Sequence, residues 1–290
     1  MLFGLTAAFC WGTADYLSKG QSERVGHYKT VVYSHLVTLT ALLVLVPVLG
    51  ASLAAPPFVV LALVAAGLLN FVAFNFLYDA FHRGAVSVVA PIAYTYPAVT
   101  TVLSIVVLKT FVSADEALAI SGIILGVVLL STRLTELRTM LRSGVASGLR
   151  VGVPSAVGSS VFFGTVYLAI GYAAPLAGYA VPAVILRAVG TVAGFALGPI
   201  LHKDLRPSRL ALSNSVLAMG TLEAVGFLAF TYGVYTAGGS LPIVAALSGL
   251  GGAVATACAM TFLRERLEPN QMVGVVLAIA GVFVLLYLGG

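Results

Sequence analysis

Ten long apolar stretches, separated by short polar segments, account for almost the whole chain. They fall at 2–18, 29–49, 58–81, 85–108, 116–132, 152–171, 179–201, 210–235, 239–262 and 271–288. About 20 helical residues are needed to cross the hydrocarbon core of a bilayer, and continuous apolar runs favour helices over the alternating strands of a barrel. The pattern therefore predicts an all-α integral membrane protein with ten transmembrane helices.

The composition supports a membrane protein and argues against several soluble functions. Charged residues make up only 9% of the 290 residues, whereas about 25% is typical of a soluble domain. The net charge of +5 comes from basic residues in short loops, which favours contact with membrane lipids over binding of nucleic acid. Cys10 and Cys258 both lie inside apolar runs, so neither a disulfide nor a metal site is expected. No nucleotide-binding glycine-rich loop is present, and we expect no cofactor.

The distribution of Lys and Arg predicts the orientation of the chain. Thirteen of the fifteen basic residues fall in the odd-numbered connections between runs. The opposite connections hold only Lys109, and Arg187 lies within a run. Since Lys and Arg favour the cytoplasmic side, we expect a multi-pass protein of the cell membrane with both termini outside.

The two halves of the sequence repeat each other. The segment at 11–26 recurs 152 positions later at 163–178, where two of its glycines and a threonine are retained and all four of its charged residues are lost. Five runs separate the copies, so the second copy must cross the membrane in the opposite direction, and a cytoplasmic basic segment becomes an external one. We predict two inverted five-helix repeats at 1–134 and 151–290, joined by a cytoplasmic loop at 135–150.

Two further segments resemble a known family. AAFCWGTADYLSKG near the start and FLRERLEPNQMVGVVLAIAGVFVL at 262–285 are similar to the first and last helices of the drug/metabolite transporter superfamily, in its ten-helix EamA-type branch. The family usually has an Arg in the second helix of each half; Arg187 matches, whereas His35 stands at the first-half position. Its usual Pro in helix four is matched by Pro97, and Leu250 replaces the one in helix nine. The resemblance implies a carrier of small metabolites, often an exporter of amino acids.

Four polar residues stand out inside the predicted helices, where an ionisable group costs about 3 kcal/mol or more. They form two repeat-related pairs, His35 with Arg187 and Asn70 with Glu223. Arg187 is a candidate for binding a substrate carboxylate, although pairing with Glu223 or reaching for the outer interface would also account for it. Glu223 would bind a substrate amine or carry a proton, unless it only pairs with Arg187. His35 is either a binding residue or a hydrogen-bonded packing residue.

Three aromatic residues complete the candidate substrate-binding set. Tyr78 lies eight residues after Asn70 and so shares its helix face. Tyr94 stands between two prolines, where freed backbone carbonyls need polar neighbours, and we predict that it lines a cavity. Trp11 lies near the middle of the first helix, away from the usual interfacial belt, and either walls the same cavity or packs in the core.

Together these features predict a secondary transporter that moves small polar metabolites by alternating access. Amino acids are the first substrate class, with export as the direction; a sugar or sugar-phosphate carrier and a lipid flippase are the alternatives. No catalytic constellation is recognisable, so we do not expect an enzyme. The expected partners are a small-molecule substrate and membrane lipids. We expect a monomer, because a duplicated chain already contains both halves of a pathway.

Overall fold

A computed structural model of the chain describes residues 1–83, 86–142, 146–236, 240–263 and 268–288. The described residues form thirteen helices and no strand. In chain order, α1 to α13 span Leu2–Val25, His27–Val48, Pro57–Arg83, Val86–Ala93, Tyr96–Val107, Ala114–Ser131, Leu134–Arg142, Ala146–Ala177, Ala180–Ile200, Asn214–Thr236, Leu241–Gly249, Gly251–Leu263 and Pro269–Leu288. Parts of the predicted elements, namely 85, 143–145, 239 and the RERL segment at 264–267, lie outside the described residues.

The ten predicted helices correspond to these elements once two broken helices are counted as one each. In the described ranges, nine helical stretches are long and apolar enough to cross a membrane, including Val89–Val107 across α4 and α5 and Leu241–Cys258 across α11 and α12. Helix α1 is the tenth. It is less apolar than the other nine stretches and carries Asp15 and Lys19. The all-α membrane fold is therefore confirmed.

Several predicted boundaries were wrong: α8 ends at Ala177 rather than near residue 171, α10 begins at Asn214 rather than near 210, and two further errors involve α1 and the connection between the halves. Helix α1 continues to Val25 rather than ending near residue 18, and Gly26, with a φ of 85°, makes the turn into α2. This positive φ is readily adopted only by glycine. The connection predicted as a loop at 135–150 is helical over Leu134–Arg142, and α8 already begins at Ala146. Both errors arise because polar residues were taken to end helices, whereas a helix can continue past the membrane surface into water.

The fourth transmembrane helix of each half is broken near its middle. Helix α4 ends at Ala93, and α5 begins at Tyr96 with Pro97 in its first turn, a position that suits proline because the N–H it lacks would have no partner within the helix there. In the second half α11 ends at Gly249 and α12 begins at Gly251. The bend there occurs in a glycine cluster without a proline. The two breaks place irregular backbone inside the bundle.

Each main contact between the two halves has a counterpart in which the equivalent helices of the halves are exchanged. Helix α1 packs on α10 and α3 packs on α8; α2 packs on α10 and α3 packs on α9; the last helices, α6 and α13, pack on each other. Two hydrogen bonds, between the side chains of His35 and Arg187 and of Tyr96 and Ser248, join positions 152 apart. Residues near a two-fold axis contact their own symmetry mates, so this packing is what a two-fold relation between halves requires. The division at 134 and 151 and its inverted orientation stay predictions.

Candidate functional site

The guanidinium of Arg187 occupies the centre of a buried polar network. It lies on α9 and is fully buried. Its Nη2 is 3.1 Å from Glu223 Oε2 on α10, while Nη1 donates to His35 Nε2 on α2 at 2.7 Å and to Asn70 Oδ1 on α3 at 3.3 Å. An Arg side chain can only donate, so His35 Nε2 must accept. This geometry assigns a neutral imidazole to His35, with its proton on Nδ1.

Two hydroxyl groups donate hydrogen bonds to the Glu223 carboxylate, in addition to its ion pair with the guanidinium. Tyr78 donates its hydroxyl to Oε1 at 3.2 Å, and Thr38 donates to Oε2 at 3.3 Å. Burying a charge is tolerated only when it is paired and hydrogen-bonded. The ion pair of Arg187 with Glu223, which the sequence left open, is present in the structure, and side chains from α2 and α3 form hydrogen bonds with both of its members.

Two aromatic rings enclose the guanidinium of Arg187. Its central carbon lies 4.5 Å from the ring centroid of Phe74 and 4.1 Å from that of Phe227, which is cation–π geometry. Sequence reasoning missed both rings, although spacing pointed to them. Phe74 lies midway between Asn70 and Tyr78 on α3, and Phe227 follows Glu223 by four residues on α10, so each shares a face with a network residue.

A small cavity adjoins the network, between elements from both halves. Its volume is about 30 Å³, counted as the space open to the centre of a water molecule. Since one water needs about 10–15 Å³, the cavity has room for about two waters. Six aromatic rings line it, those of Trp11, Phe74, Tyr94, Tyr96, Phe163 and Tyr167. Two carboxylates also line it, those of Asp15 and Glu223. Arg187 does not.

Asp15 is the functional candidate that sequence reasoning missed. It lies on α1, four residues after Trp11 and therefore on the same face. Tyr94 donates its hydroxyl to Asp15 Oδ2 at 2.6 Å across the cavity. With α1 taken to end near residue 18, Asp15 stood close to a helix end. The observed helix extends to Val25 and places Asp15 well inside it.

The predicted site residues thus divide into two adjoining groups. His35, Asn70, Tyr78, Arg187 and Glu223 form one hydrogen-bonded network. Tyr94 and Trp11 lie beside it at the cavity, and Glu223 belongs to both groups. Trp11 contacts Tyr167 at a centroid distance of 5.6 Å. Whether these residues bind a substrate stays a prediction.

Polar contacts also join the two halves at one end of the bundle, where α1 meets α2 and α9 leads into α10. Lys29 Nζ lies 3.1 Å from Asp204 Oδ2 in the segment between α9 and α10, and the Tyr33 hydroxyl donates to the carbonyl of Leu205. The backbone N–H of Arg206 and the Lys29 ammonium lower the pKa of Asp204 below its ordinary value. Asp204 is therefore ionised at neutral pH and available to Lys29.

Comparison with known proteins identifies the family. The model of the EamA-like transporter family matches residues 1–132 and 150–287. The chain belongs to the EamA-like transporter family. Members are membrane transporters of the drug/metabolite transporter superfamily, not enzymes. The resemblance carried by the first and last helices is thereby confirmed.

Two individual proteins are similar to this chain at different levels. An uncharacterized protein of Methanocaldococcus jannaschii is 26% identical over 131 residues, which are 45% of this EamA-like chain and 95% of that protein. A solved crystal structure superposes with a TM-score of 0.74 at 16% identity, covering 98% of this chain and 95% of the other. At that identity the superposition shows the fold alone.

Proposed function

We propose that this EamA-like transporter is a secondary carrier that moves small polar metabolites across the cell membrane by alternating access. Amino acids are the first substrate class and export is the direction. The observation that carries the proposal is a cavity inside the bundle, lined by charged and aromatic side chains from both halves and adjoining a buried ion-pair network. Groups of this kind are costly within a membrane and typically lie on a substrate or ion pathway.

The small cavity volume supports a mechanism in which the halves move. Space for about two waters is too little for a whole metabolite, so the proposed transport requires this space to widen. Helices of one half pack against helices of the other in exchange-related pairs. A rocking motion of one half against the other would open the same space to either side of the membrane, as in other carriers built from repeats.

The ionic state of Arg187 weighs against a sugar-phosphate carrier. A phosphate site needs a cation that is free to bind it. The guanidinium of Arg187 is already paired with Glu223, hydrogen-bonded to His35 and stacked between two rings. An amine-bearing solute has no such difficulty, because carboxylates line the cavity.

The orientation and oligomeric state form part of the same proposal. The distribution of Lys and Arg supports a plasma-membrane protein with both termini outside. Residues from both halves of a single chain line the cavity, which supports a monomer as the working unit.

Counterflow in proteoliposomes tests the proposal. Vesicles preloaded with an unlabelled amino acid should accumulate the same labelled amino acid, whereas protein-free vesicles should not. Glu223→Gln should reduce this accumulation, because it removes a charge at the cavity edge. Glu23→Gln, at an exposed position on the same bundle, is the matched control and should leave it unchanged. Absence of counterflow for every amino acid, from protein that stays monodisperse, would refute the substrate class; labelled sugars and fluorescent lipids then test the alternatives.

A further inference from the structure

The charges around the cavity do not balance. Three charged side chains lie at or beside it, those of Asp15, Arg187 and Glu223. Arg187 and Glu223 neutralise each other. In the described part of the chain no Lys, Arg or His forms an ion pair with Asp15, and the hydroxyl of Tyr94 is an uncharged donor. When Asp15 is ionised, the cavity therefore carries one uncompensated negative charge.

We infer that Asp15 is the counter-ion for an ammonium group of the transported solute, so that the carrier selects amines and does not require a carboxylate. The inference rests on the proposed transport function and narrows its substrate class. A charge within the membrane needs a partner, and the structure leaves this position for the solute to fill. A cavity of about 30 Å³ has room for an ammonium group.

The aromatic lining favours a cation over an anion. Trp11 lies one helical turn before Asp15, and Tyr96 and Tyr167 face the same space from α5 and α8. Ring faces carry negative electrostatic potential and attract ammonium groups, most strongly in the case of Trp. A carboxylate or phosphate would meet these rings and two carboxylates, with no free cation among the described lining residues.

The arrangement of Arg187 explains why an amino acid's carboxylate would contribute little here. Its guanidinium is fully buried, paired with Glu223 and covered on both faces by Phe74 and Phe227. A substrate carboxylate would have to displace those partners. An amino acid would therefore bind through its ammonium group, and its decarboxylated amine should bind at least as well.

A matched set of three probes tests the selectivity. Leucine carries both groups, 3-methylbutylamine only the ammonium and 4-methylpentanoate only the carboxylate. Equilibrium binding of each labelled probe to the purified protein is measured first, followed by counterflow in proteoliposomes. We expect binding of the amine and of leucine and none of the acid. Equal binding of acid and amine, or no binding of the amine, would overturn the inference.

Substitutions at Asp15 test the assigned residue. Asp15→Asn keeps an acceptor for the Tyr94 hydroxyl and removes the charge, so the Kd of the amine should rise about 10- to 100-fold, the usual worth of a charged hydrogen bond. Asp15→Glu keeps the charge and should recover part of the affinity, a rescue that a merely structural role would not give. Glu23→Gln is the control. An unchanged Kd in Asp15→Asn would overturn the assignment.

The two measurements separate this inference from the transport proposal. Amine binding that depends on Asp15, without counterflow of any probe, would support Asp15 as an ammonium-binding residue and refute transport. Counterflow of leucine that is unaffected by Asp15→Asn would support transport and refute the inference.

Discussion

Replacement of Arg187 by Met tests whether the buried ion pair holds the bundle together. The methionine fills much of the volume of the arginine stem but removes the charge and the donors to His35 and Asn70. Glu223 then keeps its hydrogen bond from Tyr78 but has no positive partner. Breaking a buried pair on one side costs about 3–5 kcal/mol. At about 1.4 kcal/mol per factor of ten, this shifts the unfolding equilibrium roughly 100- to 4,000-fold.

Two companion variants make this prediction specific. Arg187→Met combined with Glu223→Gln removes both charges and leaves an uncharged, hydrogen-bonding core, so its free energy of unfolding should return to within about 1–2 kcal/mol of the wild type. Arg24→Met removes an exposed arginine at the end of α1 and should change stability by about 0.5 kcal/mol or less.

The assay is reversible unfolding in mixed micelles, with sodium dodecyl sulfate as the denaturant and helical circular dichroism as the signal. If Arg187→Met unfolds at the same denaturant fraction as Arg24→Met, the ion pair does not stabilise the fold. If the double variant is as unstable as the single one, the loss does not come from an uncompensated carboxylate. Either result would refute the reasoning from the buried network.

Two glycine substitutions test close packing. A Cβ at Gly126 would lie 2.6 Å from the backbone of α13, whereas the nearest atom to a Cβ at Gly122, one turn earlier, would be 3.9 Å away. Gly126→Ala should therefore destabilise the protein by about 1–3 kcal/mol, and Gly122→Ala should not. Equal thermal stability of the two variants would contradict the crossing of α6 and α13. A Cβ at Gly226 would lie 2.6 Å from Nε1 of Trp11, the single tryptophan, so Gly226→Ala should shift the tryptophan fluorescence emission. Gly20→Ala is the control, because a Cβ there would have no atom within 4 Å. An unchanged emission spectrum in Gly226→Ala would show that the indole does not contact this glycine.

Much of the fold could be predicted because the length of an apolar run indicates a transmembrane helix. Backbone groups must be satisfied within the bilayer, so an apolar run of about 20 residues has few other solutions than a helix. The repeat related His35 to Arg187 as equivalent positions on the second helix of each half, whereas the hydrogen bond between them is seen only in the structure. Depth along a helix was therefore accessible from the sequence.

The rotation of each helix about its own axis could not be predicted from the sequence. In a soluble protein the apolar face points inward, but in a bilayer both lipid and neighbouring helices are apolar, so the hydrophobic pattern does not mark the buried side. The spacing of Phe74 and Phe227 places each on the face of a polar residue, but only the assembled helices show that both rings stack on Arg187.

The sequence by itself determined that this protein is a bundle of apolar helices with a few costly polar groups at known depths. Only the tertiary structure decided which of those groups neutralise each other. Assembly of α9 with α10 commits Arg187 to Glu223, and assembly of α1 with the break between α4 and α5 leaves Asp15 beside Tyr94 without a cationic partner among the described residues. The physical reason is that Coulomb energies depend on distances between helices, and no one-dimensional pattern specifies those distances.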